Sequence, residues 1–366
     1  MGRSKFLSML LVFTIYHCCV TGLSVKSIGG QKRKLRSEKE IKWLFAEWQV
    51  KYDKSYDTSM EESRRIKIFK DNLRYITEHN RPENNHSFTL GLNQFADLTT
   101  EEFASIYLNS HLNVEPSSHA SDRYMPKEGE QLPNFVDWRR AGAVSPVEYQ
   151  GNCGSCWAFS AVGAIEGINQ IVTGNLMTLS KQNLVDCERL SNGCFGGRTS
   201  SAFQYVQNSG IDTESHYPYQ GVRQPCNPIK ESVVYIDNYE VIRSRNEISL
   251  QKAVSSQPIS VSIKSNSTDF IFHKKGVFSG RCGQKLDHGV LVVGYGREDG
   301  KDYWLIKNSW STFWSENGYG KIERNINAPF GKCGIAMNPS YPVIDKPYRL
   351  YGQSSKTIQK MPLAGA

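Results

Sequence analysis

Apolar residues return at helical spacing early in the chain, at Ile41, Leu44, Phe45, Trp48 and Tyr52, which predicts an amphipathic helix. A second periodic run over residues 61–80, EESRRIKIFKDNLRYITEHN, predicts another. Periodicity stops over 109–131, where serines, Pro116 and Pro126 interrupt a polar stretch. Such a segment reads as an exposed linker open to cleavage. Residues 156–172 read CWAFSAVGAIEGINQIV. This run is apolar around most of its circumference and rich in small residues, so it predicts a buried helix. β-Branched or alternating runs follow at 233–236, 258–263, 290–295 and 303–307, with Gly-rich turns between them, and these predict strands. A helical first half and a strand-rich second half predict an α+β domain in two lobes. There is no internal repeat.

Charge and length narrow the function class. The 366 residues fit one large domain or two ordinary ones. The net charge is +8, yet residues 132–343 hold 21 Lys and Arg against 18 Asp and Glu, so most of the excess lies elsewhere. No Lys/Arg cluster is interleaved with aromatics, so no nucleic-acid partner is expected. Arg3 and Lys5 precede an apolar run over 6–20 and then Thr21 and Gly22. That order predicts a secretory signal peptide over 1–22. The run is too short to span a bilayer comfortably, and the myristoylation pattern begun by Gly2 fails at Phe6. No membrane association is therefore expected. The tail, 344–366, carries no ER-retention signal.

Nine cysteines are present, and Cys18 and Cys19 fall within the expected signal peptide. The remaining seven are Cys153, Cys156, Cys187, Cys194, Cys226, Cys282 and Cys333. In an oxidising compartment an odd count leaves at least one thiol unpaired, and six cysteines can pair in fifteen ways. The pair Cys153 and Cys156 sits in QGNCGSCWAFS. Structural zinc asks for four ligands at paired spacings, and only one C-x-x-C occurs. A redox pair would leave five other cysteines unexplained. The third reading makes Cys156 a nucleophile at the start of a helix, where backbone N–H groups favour a thiolate. A thiolate of this kind needs a proton-transfer partner, normally His. His17 lies in the signal, His79, His86, His111 and His119 lie in the leader, and His216 and His273 sit in a polar turn and beside a lysine. His288, in KLDHGVLVVGYG, precedes a strand that runs into a Gly-rich turn. Asn308, in DYWLIKNSW, can hold the second ring nitrogen.

The string CGSCW, with His288 132 residues and Asn308 152 residues beyond Cys156, resembles the papain/cathepsin pattern. LPNFVDWRRAGAVSPV, LSKQNLVDC, GCFGG and CGIAMNPSYPV extend the likeness over 132–343. The leader resembles the family's inhibitory propeptides. Glu61, Arg65, Phe69, Asn72, Ile76 and Asn80 follow the ERFNIN pattern on one helix face, and Gly91, Asn93, Phe95 and Asp97 follow the G-x-N-x-F-x-D motif. The chain is thus identified as similar to cysteine endopeptidases of the cathepsin L-like branch.

The resemblance implies a helical lobe and a β-barrel-like lobe with the active-site cleft between them. It implies a signal peptide over 1–22, an inhibitory propeptide with an I29-like helical domain and linker over 23–131, a mature domain over 132–343 and a tail over 344–366. Cys156 is implied as nucleophile, His288 as its partner, Asn308 as the orienting residue and Gln150 as the side-chain donor to the oxyanion. Substrate contacts are implied for Gly197, Arg198, Thr199, Ser262, Leu286, Asp287, Trp310 and Asn338. The implied disulfides are Cys153–Cys194, Cys187–Cys226 and Cys282–Cys333. No metal or organic cofactor is implied. The implied partners are polypeptide substrates, the chain's own propeptide as intramolecular inhibitor and cystatin-type inhibitors, around a monomer. Acid would loosen the propeptide as carboxylates such as Asp97 protonate.

Two features depart from the family. NSWSTFWSENGY places Ser311 and Ser315 where glycine is common, at about 1 kcal/mol each if those positions need φ > 0. Arg198 stands in a pocket that is usually apolar, and is expected to face solvent rather than select acidic side chains. Asn85 and Asn266 head glycosylation triplets. The rival reading is a papain-fold binding or storage protein without turnover, against which the intact Cys156, His288, Asn308 and Gln150 argue.

Overall fold

The computed structural model describes residues 37–108, 120–227 and 232–345. The expected signal peptide, the centre of the linker with His111 and His119, and the tail beyond 345 lie outside the described residues. The chain divides into a unit ending at Leu44 and a unit from Phe45 onward. The candidate site and its cover lie wholly in the second.

The leader helices are α1 (Glu38–Tyr52), α2 (Ser59–His79) and α3 (Thr100–Tyr107). Thr58 caps α2 by accepting the Glu61 N–H, so the helix starts two residues before the periodic run. The ERFNIN side chains explain its single grip. Glu61 holds Arg65 at 2.6 Å, and Arg65 reaches the Asp97 carbonyl at 2.9 Å. Asn72 Nδ2 donates to the carbonyls of Ala96 and Leu98 at 2.9 and 3.0 Å. Asn80 pairs both ways with the backbone of Leu90. Phe69 is fully buried between Phe45 and Trp48. Thr99 and Glu102 form a capping box on α3, a signal written in the sequence TTEE.

Helices α4 (Cys156–Thr173), α5 (Lys181–Cys187) and α6 (Thr199–Ser209) follow, with α7 (Glu247–Val254) and α8 (Thr268–Ile271) later. Helix α4 stops at Gly174, whose φ of 75° is the left-handed C-cap glycine tolerates. It packs on α6 and on the sheet, and Trp157, Val162, Ile165, Phe203, Leu291 and Val293 share one core. Gly163 allows the approach, since a Cβ there would sit 2.9 Å from Leu291.

The strands are β1 (Phe88–Leu90), β2 (Ala120–Ser121), β3 (Val136–Asp137), β4 (Asn238–Ile242), β5 (Ile259–Ile263), β6 (His273–Phe278), β7 (His288–Glu298), β8 (Lys301–Lys307), β9 (Tyr319–Glu323) and β10 (Ser340–Val343). They form one sheet in the order β1-β6-β9-β8-β7-β5-β10-β4-β2, with β3 on β7. The sheet does not close into a barrel. Its two ends are strands from the N-terminal part of the chain, β1 on β6 and β2 on β4, which cover edges that would otherwise offer unpaired backbone.

Two local expectations change. Residues 233–236 form no strand beyond a bridge between Val234 and Ile211. Val234 and Ile236 are apolar because they are buried, and the ladder begins at Asn238. The expected linker is also not loose throughout, since Ala120 and Ser121 pair with Val241 and Ile242.

Candidate active site

Cys156 begins α4 and is fully buried. Among the described residues it is the free cysteine, the other six being joined as Cys153–Cys194, Cys187–Cys226 and Cys282–Cys333. The first bridge ties the loop before the thiol to the loop of Gly197, and the Gly154 N–H adds a bond to the Cys194 carbonyl at 2.8 Å.

His288 opens β7 and is also fully buried. The backbone of its neighbour, Gly289, favours a thiolate at Cys156. A Cβ at Gly289 would lie 3.1 Å from the Cys156 carbonyl, so glycine lets strand and helix meet here. His288 Nε2 lies 2.7 Å from Asn308 Oδ1. An amide oxygen only accepts, so Nε2 carries the proton and Nδ1 is the basic nitrogen. Nδ1 is buried with no hydrogen-bond partner among the described residues. The fully buried Trp310 ring stacks on the imidazole, with centroids 4.4 Å apart and planes 27° apart.

Gln150 is buried and its amide is fully engaged. Oε1 accepts from Ser309 Oγ at 2.6 Å, and Nε2 donates to the carbonyls of Cys153 at 2.8 Å and Tyr107 at 2.9 Å. Tyr107 belongs to the leader. Gln94 Nε2, also in the leader, donates to the Trp310 carbonyl at 2.6 Å, and Phe95 and Phe103 meet the Trp310 ring edge-on. Asn93 donates to the Ile271 carbonyl, and the Gly91 N–H bonds Phe272 O at 2.9 Å. The motif around Gly91, Asn93 and Phe95 therefore lays the leader against the site. Asp97 instead stays within the leader, with Tyr56 at 2.9 Å and Lys54 at 3.6 Å.

The cover has an electrostatic consequence. Burial pushes the Cys156 thiol up to about 12, although N–H groups of Gly289, Trp157 and Cys156 itself favour the thiolate. Burial pushes His288 down to about 4 against the support of Asn308. Burial thus disfavours the charged form of both groups.

The expected substrate-binding residues gather unevenly. Ser262 pairs with Gly289 across β5 and β7, and its buried Oγ has no partner among the described residues. Leu286 is buried nearby. Thr199 bonds Ser340 at 3.1 Å, and Asn338 is half-buried. Gly197 is buried, and a Cβ there would lie 2.5 Å from the Trp157 ring. Arg198 is half-buried at the N-cap of α6 rather than wholly solvent-facing. Asp287 turns its carboxylate to Lys264 and to the Ser265 N–H at 2.8 Å, so its side chain is spent on a local ion pair. Asn85 is exposed, whereas Asn266 is half-buried with its Oδ1 shielded. Among the described residues no group of three or more His, Cys, Asp or Glu could hold a metal ion, and no helix is long and apolar enough to cross a membrane.

Sequence reasoning passed over Ser309, Gln94 and Tyr107. Ser309 stands beside Asn308 in the quoted KNSW, but its bond to Gln150 crosses 159 positions.

Comparison with known proteins places the chain among its relatives. Residues 132–343 match the family described as "Papain family cysteine protease", and residues 45–103 match the "Cathepsin propeptide inhibitor domain (I29)". The cysteine proteinase RD21A of Arabidopsis thaliana is 50% identical over 314 residues, 84% of this chain and 68% of that protein. The proform of the ragweed pollen allergen Amb a 11 is 38% identical with a TM-score of 0.79, over 87% of this chain and 99% of that one. A Carica candamarcensis cysteine protease in complex with E-64 is 45% identical with a TM-score of 0.57, over 59% of this chain and all of that one.

Proposed function

The chain belongs to the papain family of cysteine proteases and is a peptide hydrolase, and from that premise we propose that it is made as a secreted zymogen and acts as an endopeptidase in protein catabolism. The signal peptide, 1–22, is lost on secretion, the leader, 23–131, inhibits the enzyme, and 132–343 is the mature domain, with 344–366 as a tail. The destination is a lysosome-like vacuole or the extracellular space. The enzyme works as a monomer on polypeptides, and cystatin-type proteins are its expected external inhibitors.

One observation carries the mechanism: His288 keeps Nε2 on Asn308 and leaves a basic Nδ1, with its neighbour Gly289 packed against the Cys156 backbone. When the leader departs and water enters, the thiol proton passes to Nδ1. The thiolate attacks the scissile carbonyl, forming a C–S bond and an oxyanion. The Cys156 N–H and Gln150 Nε2 donate to that oxyanion, the latter with the hydrogen now given to Tyr107 O. The tetrahedral species collapses, and Nδ1–H protonates the departing amine. Water then attacks the thioester, gives its proton to Nδ1, and releases the acid and the thiol. Trp310 shields the His288–Asn308 bond from water throughout. On this reading the Tyr107 carbonyl of the leader takes up a hydrogen of Gln150 that the oxyanion would use. Asn85, being exposed, is the expected glycan acceptor, and Asn266 is the poorer one.

The test is labelling by a peptidyl epoxide followed by peptide mapping. Leader-free protein should be modified stoichiometrically on Cys156, the His288→Ala variant should not, and intact zymogen should react far more slowly. Folded, leader-free wild type that resists labelling would sink the reading and favour a binding protein.

A further inference from the structure

Ser155 stands at the N-cap of α4, where a hydroxyl ordinarily accepts a backbone N–H, yet it makes no side-chain capping bond. Its Oγ lies 2.6 Å from the Tyr219 hydroxyl. The same hydroxyl lies 2.7 Å from the backbone carbonyl of Gln150. A carbonyl only accepts, so Tyr219 donates to Gln150 and Ser155 donates to Tyr219. The phenol is thereby saturated along one line, from Ser155 through Tyr219 to Gln150.

Tyr219 is itself held firmly. Its N–H meets Glu214 Oε1 at 2.6 Å. Its ring meets Phe159, on the first turn of α4, edge-on at 5.0 Å. Burial, and then the neighbouring Cys156, push the phenol above its ordinary value, although Ser155 opposes this. It therefore remains a donor across the working range of pH.

The two proposed oxyanion donors, Gln150 Nε2 and the Cys156 N–H, stand at opposite ends of the loop 150–156. One hydroxyl spans that loop, touching the backbone of the first donor's residue and the side chain of the residue preceding the second. We propose that Tyr219 is a positioning residue that fixes the spacing of the two oxyanion donors, and so governs attack on the peptide carbonyl without governing the reactivity of the thiol. This rests on the assignment of Cys156 and Gln150 made above.

The test compares leader-free wild type with Tyr219→Phe, which removes the bridging hydroxyl and keeps the ring against Phe159. Active sites are first titrated by covalent labelling. Three quantities are then read: kcat and KM on a peptide amide, inhibition by a peptide aldehyde, and the rate of alkylation by iodoacetamide. The aldehyde adduct is a hemithioacetal whose oxygen occupies the oxyanion position. Alkylation displaces iodide and forms no oxyanion. Loss of a whole donor costs about 10²–10³ in kcat, so misplacement is expected to cost about tenfold. KM should stay within about twofold, aldehyde binding should weaken in step with kcat, and alkylation should be unchanged. Ser155→Ala, which breaks the other half of the bridge, should show the same split and serves if Tyr219→Phe does not fold. An unchanged kcat, or alkylation falling as far as kcat, overturns the proposal. Wild type that neither alkylates nor cleaves would instead sink the assignment of the site itself.

Discussion

Ser311 and Ser315 hold φ values of 65° and 49°, in the left-handed region that glycine tolerates and a Cβ resists. The two glycine substitutions nevertheless have different expected outcomes. Each relieves about 1 kcal/mol of backbone strain and returns about half of that through the looser unfolded chain. They differ in what the hydroxyl does. Ser311 Oγ accepts the Phe313 N–H at 3.0 Å in an exposed turn, a bond worth about 0.5 kcal/mol, so Ser311→Gly should be close to neutral. Ser315 Oγ lies 2.7 Å from Nδ1 of His273, a residue only 2% exposed. The other ring nitrogen faces the Gly276 carbonyl at 3.0 Å, so Nε2 carries the proton and Nδ1 accepts from Ser315. Burial pushes His273 down to about 4, so at neutral pH the ring cannot protonate Nδ1 to compensate. Removing the hydroxyl leaves a buried acceptor bare, at about 1–3 kcal/mol. Ser315→Gly should therefore destabilise by about 1.5 kcal/mol net, despite restoring the residue common in the family.

The assay is urea unfolding of full-length Cys156→Ala zymogen at pH 7, which cannot process itself, read as midpoint shifts at constant slope. In a His273→Phe background the acceptor is gone, and Ser315→Gly should turn neutral or slightly stabilising. Equal stability of the two glycine variants would refute the reasoning. So would a Ser315→Gly loss that persists undiminished beside His273→Phe.

Two further predictions concern histidines. Asn308→Ala leaves the buried His288 Nε2–H without its acceptor, which at about 1–3 kcal/mol should lower kcat about 10–100-fold with active-site labelling retained but slower. The zymogen should also lose stability in acid. His79 is lowered by burial and then by its stacked neighbour His86, against Asp269 and the Phe88 carbonyl, and His273 is lowered by burial, against Gly276 O and Glu316. Folded pKa values below the ordinary 6.5 mean that the unfolded chain binds more protons, so this stability is full above about pH 6.5 and falls as pH drops toward 4. Each histidine contributes up to about 1.4 kcal/mol per pH unit. Unfolding free energy measured from pH 7.5 to 4.5 should show the slope, His79→Phe should reduce it, and a flat wild-type profile would refute it.

The elements legible in the sequence were those whose periodicity records burial. Helix α4 is apolar around most of its circumference because the sheet, α5 and α6 pack against it. Strands β5, β7 and β8 read as strands because most of their positions are buried on both faces. Strand β6 was missed, since its HKKGVF run exposes Lys274 and Lys275 and its outer partner is the leader. Residues 233–236 failed the other way: Val234 and Ile236 are buried without a partner strand, so the run carried an apolar signature and no ladder. A local pattern reports what a residue is hidden from, and says nothing of what it pairs with.

The same limit divides the leader's inhibition from its motif. Arg65, Asn72 and Asn80 bond the backbone at Asp97, Ala96, Leu98 and Leu90, all within the leader. Asn93 alone among the motif's polar side chains described here reaches across, to Ile271. The groups that occupy the site are a Tyr107 carbonyl on Gln150, a Gln94 amide on the Trp310 carbonyl, and the edges of Phe95 and Phe103. The motif is therefore a clamp that fixes the path of the segment, and the group it sets on Gln150 is a backbone oxygen that every residue type carries. That division explains why the sequence announces an inhibitory leader so plainly and leaves its point of contact silent. It also means that Tyr107→Phe, which keeps the carbonyl and the ring and loses only the hydroxyl's contacts with Asn152 and Tyr149, should speed epoxide labelling of the zymogen less than Asn72→Ala or Asn80→Ala, which would move the carbonyl itself.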